Sequence, residues 1–144
     1  MSEPLRVLVV DDERISRLTT LHQLVDDGYV ADTVGDAKPA TVYTAATDPN
    51  KLLGRPGGYT SKADFTDDRA KPDLDDEVQN GGSVEVYDDP ADAEERGKFI
   101  ADTLDKMKIF GTEYHYLKGG ILLRVSGELT PEQAAGYETA LNKL

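Results

Sequence analysis

The sequence predicts an α+β domain: a mainly antiparallel sheet with helices on one face, in the order β-β-α-β-β-α, preceded by a short βαβ unit. Three observations carry this. Apolar residues alternate over 59–65 and 83–87, and the strand-like stretches 113–117 and 121–125 flank Gly119-Gly120 as a hairpin. Asp89-Pro90 and Thr130-Pro131-Glu132-Gln133 are helix-start signals followed by apolar residues at helical spacing. The chain opens differently, with a continuous apolar run, Val7-Leu8-Val9-Val10, that stops on Asp11 and Asp12.

The opening segment sets the first elements. A run without alternation suits a strand covered on both faces. From Glu13 the period changes, and Ile15, Leu18, Leu21 and Val25 form one apolar helix stripe. Gly28 ends it, and residues 29–34 alternate again as a second strand. Strand, helix and strand at this spacing form a right-handed βαβ unit. On these residues, 5–38 resembles the N-terminal third of a response-regulator receiver domain. The resemblance implies that Asp11 and Asp12 help to hold Mg²⁺ beside a phosphoacceptor aspartate. A hard divalent cation needs several carboxylate oxygens, so two acids alone bind Mg²⁺ only weakly. Asp48 is the nearest candidate acceptor, but it follows Asp12 too closely for a full intervening helix, and Pro49 comes next. Lys118 is followed by Gly119-Gly120 rather than by the Pro of the receiver pattern. A phosphorylation-incompetent segment is therefore expected.

Lys38-Pro39-Ala40 reads as the seam between 1–39, the truncated receiver-like unit, and 40–144, an α+β domain. Beyond it, Asp48-Pro49-Asn50-Lys51-Leu52-Leu53-Gly54 has the form of one capped helical turn. Arg55-Pro56-Gly57-Gly58 is a turn whose glycines could nest an anion, although it lacks the spacing of a phosphate loop. Tyr59, Ser61, Ala63 and Phe65 mark one face of a half-buried strand. The acid-rich stretch 67–82 reads as a solvated loop, because Val78 and Val84 stand where a calcium loop needs Gly and Glu. Val84 and Val86 mark the next strand. Ala93, Phe99, Ile100, Leu104 and Met107 mark the inner face of a helix over 90–108, and Ala134, Tyr137, Leu141 and Leu144 that of the last helix.

The body also resembles a family of small, functionally uncharacterised actinobacterial proteins, usually exported and often lipoprotein-like. The resemblance rests on residues 48–62, on Leu122-Leu123-Arg124-Val125-Ser126 and on Leu129-Thr130-Pro131-Glu132-Gln133-Ala134-Ala135. It implies an export signal ahead of residue 40, where this chain has the receiver-like segment instead.

Composition limits function. The chain has 144 residues, a net charge of −12 and no cysteine. Dense negative charge repels phosphate backbones and acidic membrane surfaces, so neither nucleic acid nor membrane is an expected partner. Without cysteine there is no thiolate nucleophile or disulfide, and two histidines, His22 and His115, are too few for a zinc site of their own. Residues 1–6 lack the basic and apolar regions of a secretory signal, so a cytoplasmic protein is expected. Arg124 lies within an apolar strand and needs a carboxylate or an anionic ligand, with Glu85 or Glu113 across the sheet as the expected partner. Arg124, Tyr114 and Tyr116 are the candidate binding residues. No resident cofactor is expected beyond weakly held Mg²⁺. The expected function is a non-enzymatic binding or interaction module with a protein or small-molecule partner, able to dimerise. The alternative is a receiver protein of a two-component phosphorelay.

Overall fold

The structure is a computed structural model that describes residues 37–70 and 78–142. The receiver-like expectations for Asp11, Asp12, His22 and the βαβ unit fall outside the described residues. Strand β1 (Ala37–Val42) is followed by β2 (Ser61–Asp67) and β3 (Gly81–Val86). Helix α1 (Pro90–Lys106), a 3-10 turn (Lys108–Phe110), the hairpin β4 (Glu113–Lys118) and β5 (Ile121–Ser126), and helix α2 (Pro131–Asn142) complete the described chain. The five strands form one sheet in the order β1-β2-β3-β5-β4, and every neighbouring pair is antiparallel. The fold is α+β.

Strand β1 runs through Lys38-Pro39-Ala40, where the sequence suggested a seam. Proline is tolerated there because β1 is the last strand on its side of the described sheet, and the register shifts between Pro39 and Thr41. The helix starts follow their sequence signals. The Asp89 side chain accepts the Ala91 amide at 2.9 Å, and Pro90 occupies the first turn of α1. In α2, Thr130 Oγ1 accepts the Gln133 amide at 3.2 Å, while Gln133 Oε1 accepts the Thr130 amide at 2.9 Å, a reciprocal capping box. Gly119 turns the β4–β5 hairpin with φ 57°, a backbone that glycine adopts without strain.

Two apolar clusters lie on opposite sides of the sheet. Neighbouring residues of a strand point to opposite faces. Leu122 packs with Ala93 and Ile100 of α1, whereas Ile121, Leu123 and Val125 pack with Ala134, Tyr137 and Leu141 of α2. The two helices therefore cover opposite faces instead of sharing one. The physical reason is the uninterrupted run Ile121-Leu122-Leu123, which puts an apolar residue on each side of β5.

The inner stripe of α1 is Ala93, Gly97 and Ile100, with Leu104 partly buried beside it. Phe99 and Met107, expected inside, are exposed. Strands β2 and β3 differ from expectation as well. Their alternate polar residues Lys62, Asp64, Ser83 and Glu85 are buried rather than solvated. Asp67, placed by the sequence in a solvated loop, is buried at the end of β2, and Val78 and Gln79 beyond it are buried too.

Candidate functional site

The α1 side of the sheet carries a layer of charge. Register places Lys62 opposite Glu85, Asp64 opposite Ser83, Ser83 opposite Arg124, and Arg124 opposite His115. Glu85 is 0% exposed. It accepts from the Tyr87 hydroxyl at 2.6 Å and from Arg124 Nη1 at 3.2 Å, and Arg96 Nε lies 3.6 Å away. Arg124 also grips Glu113 with both ends of its fork, Nε to Oε1 at 2.9 Å and Nη2 to Oε2 at 2.8 Å. His115 Nε2 stands 2.8 Å from the same Glu113 Oε1. Arg124 thus pairs with both carboxylates that the sequence offered as alternatives. The planar fork engages Glu113 through two parallel bonds and still reaches Glu85, a geometry that the single ammonium of lysine does not offer.

Burial sets the electrostatics of this layer. Burial alone would raise the Glu113 carboxyl, but hydrogen bonds from His115 and Arg124 outweigh it and hold the group down to about 2. Burial would lower the Arg124 guanidinium, and the Glu113 and Glu85 carboxylates reverse that and push it up. Burial and the neighbouring Glu85 charge raise the Tyr87 hydroxyl, so it remains a donor. Lys62 adds a cation whose Nζ lies 5.1 Å from the ring centre of Tyr43 and 5.6 Å from that of Tyr59. Each of those phenols donates to a carboxylate: Tyr43 to Asp64 Oδ2 at 2.7 Å, and Tyr59 to Asp48 at 2.8 Å.

Asp48, the candidate acceptor, is the hub of the loop between β1 and β2. Its Oδ1 accepts the Asn50 amide at 3.1 Å, and its Oδ2 accepts the Leu52 and Leu53 amides at 2.8 and 3.0 Å. The Tyr59 hydroxyl reaches both oxygens. Burial would raise this carboxyl, but the Tyr59 hydroxyl and the amides bring it below the ordinary aspartate value. Asp48 caps irregular turns rather than a helical turn, and its own carboxylate is the anion held by this nest. Lys118 donates to the Asn142 carbonyl at the end of α2. The Asp48 oxygens are thus taken up by donors of its own loop, and among the described residues no three potential ligands converge as a metal centre.

On the α2 side, Tyr114 and Tyr116 pack partly buried against the apolar cluster. The Tyr114 hydroxyl donates to the Leu129 carbonyl at 3.0 Å, which ties β4 to the start of α2. Asp67 accepts the Tyr137 hydroxyl at 2.6 Å and both arms of Arg69, at 3.0 and 2.7 Å. Phe65 and Tyr137 stack beside this clamp with ring centres 5.0 Å apart. The binding residues suggested by the sequence thus divide between the two faces: Arg124 in the charged layer, Tyr114 and Tyr116 opposite.

An exposed apolar surface at the end of α1 is not among the expectations drawn from the sequence. Phe99, Ile109 and Phe110 are 61%, 89% and 51% exposed, and Met107 is exposed with them. Phe99 and Thr103 lie four residues apart on one side of α1, and Met107 caps the helix where the 3-10 turn begins. A helical wheel would have found the split, because Phe99 falls beside the Ala93-Gly97-Ile100 stripe rather than within it. No protein-family model, no curated protein and no solved structure matches this chain.

Proposed function

We propose that this protein is a non-enzymatic interaction module, that its contact surface is the apolar end of α1, and that the partner seated there is a second copy of the chain. The observation that carries the reading is the exposure of Phe99, Met107, Ile109 and Phe110 together, in a chain with only three phenylalanines. Contiguous exposed apolar side chains in a polar protein mark association surfaces. Charge selects the partner. Two copies carrying −12 each repel over most approaches. The end of α1 is locally balanced, with Lys98 paired to Asp102 at 2.9 Å and Lys108 paired to Asp105 at 3.2 Å. Two copies can therefore meet there, patch to patch, with little repulsion.

The charged layer weighs against a catalytic reading, because Glu85, Glu113 and Arg124 are spent on one another. The Asp48 oxygens, already filled by four donor groups, weigh against the phosphorelay alternative. Sedimentation equilibrium tests the proposal. The wild type is expected to dimerise with concentration, and Ile109→Asp and Phe99→Asp to remain monomeric with unchanged circular dichroism. A wild type that stays monomeric into the millimolar range overturns self-association.

A further inference from the structure

A different surface carries a second site. Between the turn after β1 and the loop before β2 lies a cleft of about 220 Å³ lined by Ala45, Ala46, Asp48, Lys51, Leu53 and Arg55. We propose that this cleft binds a compact oxyanion, a phosphate group or a small carboxylate, between the side chains of Lys51 and Arg55. No acidic residue occurs over 49–60, so Lys51 and Arg55 form a positive island in a chain of net charge −12. Both are exposed. Neither side chain makes a hydrogen bond or an ion pair among the described residues, in contrast to Arg69, Arg96, Lys98, Lys108 and Arg124, all of which face carboxylates.

The floor of the cleft suits the same ligand. Asp48 is the one acid there, and its oxygens are filled by the Asn50, Leu52 and Leu53 amides and the Tyr59 hydroxyl, which spreads and offsets its charge. Two full cations then face one compensated carboxylate. The backbone amides of Ala45 and Ala46 donate to no acceptor among the described residues, whereas those of Thr44, Thr47 and Asp48 around them do. Lys51 is the only non-glycine among the described residues with positive φ, at 55°. A compact oxyanion offers acceptors to such donors, and arginine adds a forked contact that lysine complements as a point charge. The cleft is smaller than a drug-sized pocket, which limits the ligand to a small group or to the anionic end of a larger molecule.

The test is an amide-resolved NMR titration of the full chain with sodium phosphate, sodium acetate and sodium chloride at matched ionic strength. Phosphate or acetate is expected to give saturable shifts at Ala45, Ala46 and Lys51, and chloride none. Whichever of the two saturates at lower concentration identifies the ligand type. Lys51→Gln with Arg55→Gln is expected to weaken binding at least about tenfold. Equal shifts with chloride, or an unchanged titration in the double variant, overturn the site. The double variant alters exposed side chains without partners among the described residues, so its spectrum reports binding on a folded chain.

Discussion

Arg124 is the residue on which the charged layer turns. Its fork satisfies Glu113 and Glu85 from one strand, and each of those carboxylates is buried. Arg124→Met removes the cation hydrogen-bonded to two buried carboxylates, leaving Glu85 only Arg96 at 3.6 Å, and is expected to destabilise the fold by about 3–5 kcal/mol. Urea unfolding measures this, and a loss below about 1 kcal/mol would show that water replaces the guanidinium. Glu113 sets the pH dependence. Its folded-state value of about 2 lies below the ordinary 4.5, so its contribution is present in full above about 4.5 and is lost as pH falls towards about 2. Asp48 and Asp67, both lowered, act in the same direction. Urea midpoints are therefore expected to fall between pH 5 and pH 3, more steeply in wild type than in Glu113→Gln. Equal slopes would remove Glu113 from the account. Asp48→Asn keeps the size of the side chain but replaces one acceptor oxygen with a donor facing the amides it served. It is expected to cost about 1–3 kcal/mol, with the largest loss of amide protection at Leu52 and Leu53.

At the scale of elements, α1 and β3 show how glycine can be either a liability or a need. Gly97 lies in the middle of α1 on its buried side, and an added Cβ would sit 3.5 Å from Leu122 Cδ1, an ordinary contact. Gly97→Ala is expected to stabilise the protein by about 0.5–1 kcal/mol through helix propensity and a less flexible unfolded chain. Gly82 is the opposite case. A Cβ there would overlap the Phe65 ring and the Arg124 carbonyl oxygen, so Gly82→Ala is expected to destabilise. Thermal unfolding of the two variants should move in opposite directions. The helices keep their own starts through Asp89 and Thr130, but their faces are chosen by β5, which offers Leu122 to one and Leu123 with Val125 to the other.

Over the whole molecule, the sheet separates two kinds of interior. The α2 side is an apolar core closed by the Asp67–Arg69–Tyr137 clamp, and the α1 side joins a small apolar cluster to the layer of Lys62, Glu85, Arg124 and Glu113. If the end of α1 joins two copies, adding salt should strengthen association by screening the net charge of −12. Sedimentation at low and high salt measures this, and weaker association in salt would point to ion pairs rather than apolar contact. Periodicity and capping residues were enough to locate β2 to β5 and both helices within a few residues, because alternation, Asp89-Pro90, Gly119-Gly120 and the Thr130 box act over one turn or one hairpin. The same local signals placed Arg124 beside Glu85 or Glu113, since an arginine in an apolar strand has few other ways to be satisfied. They did not reveal the burial of Lys62, Asp64 and Glu85, the bond from the Tyr59 hydroxyl to the capping residue Asp48, or the outward turn of Phe99. Each of these depends on what lies across the sheet or above it. Local pattern determined which segments become strands and helices; only tertiary packing decided which faces are covered, because burial is a property of neighbours distant in sequence.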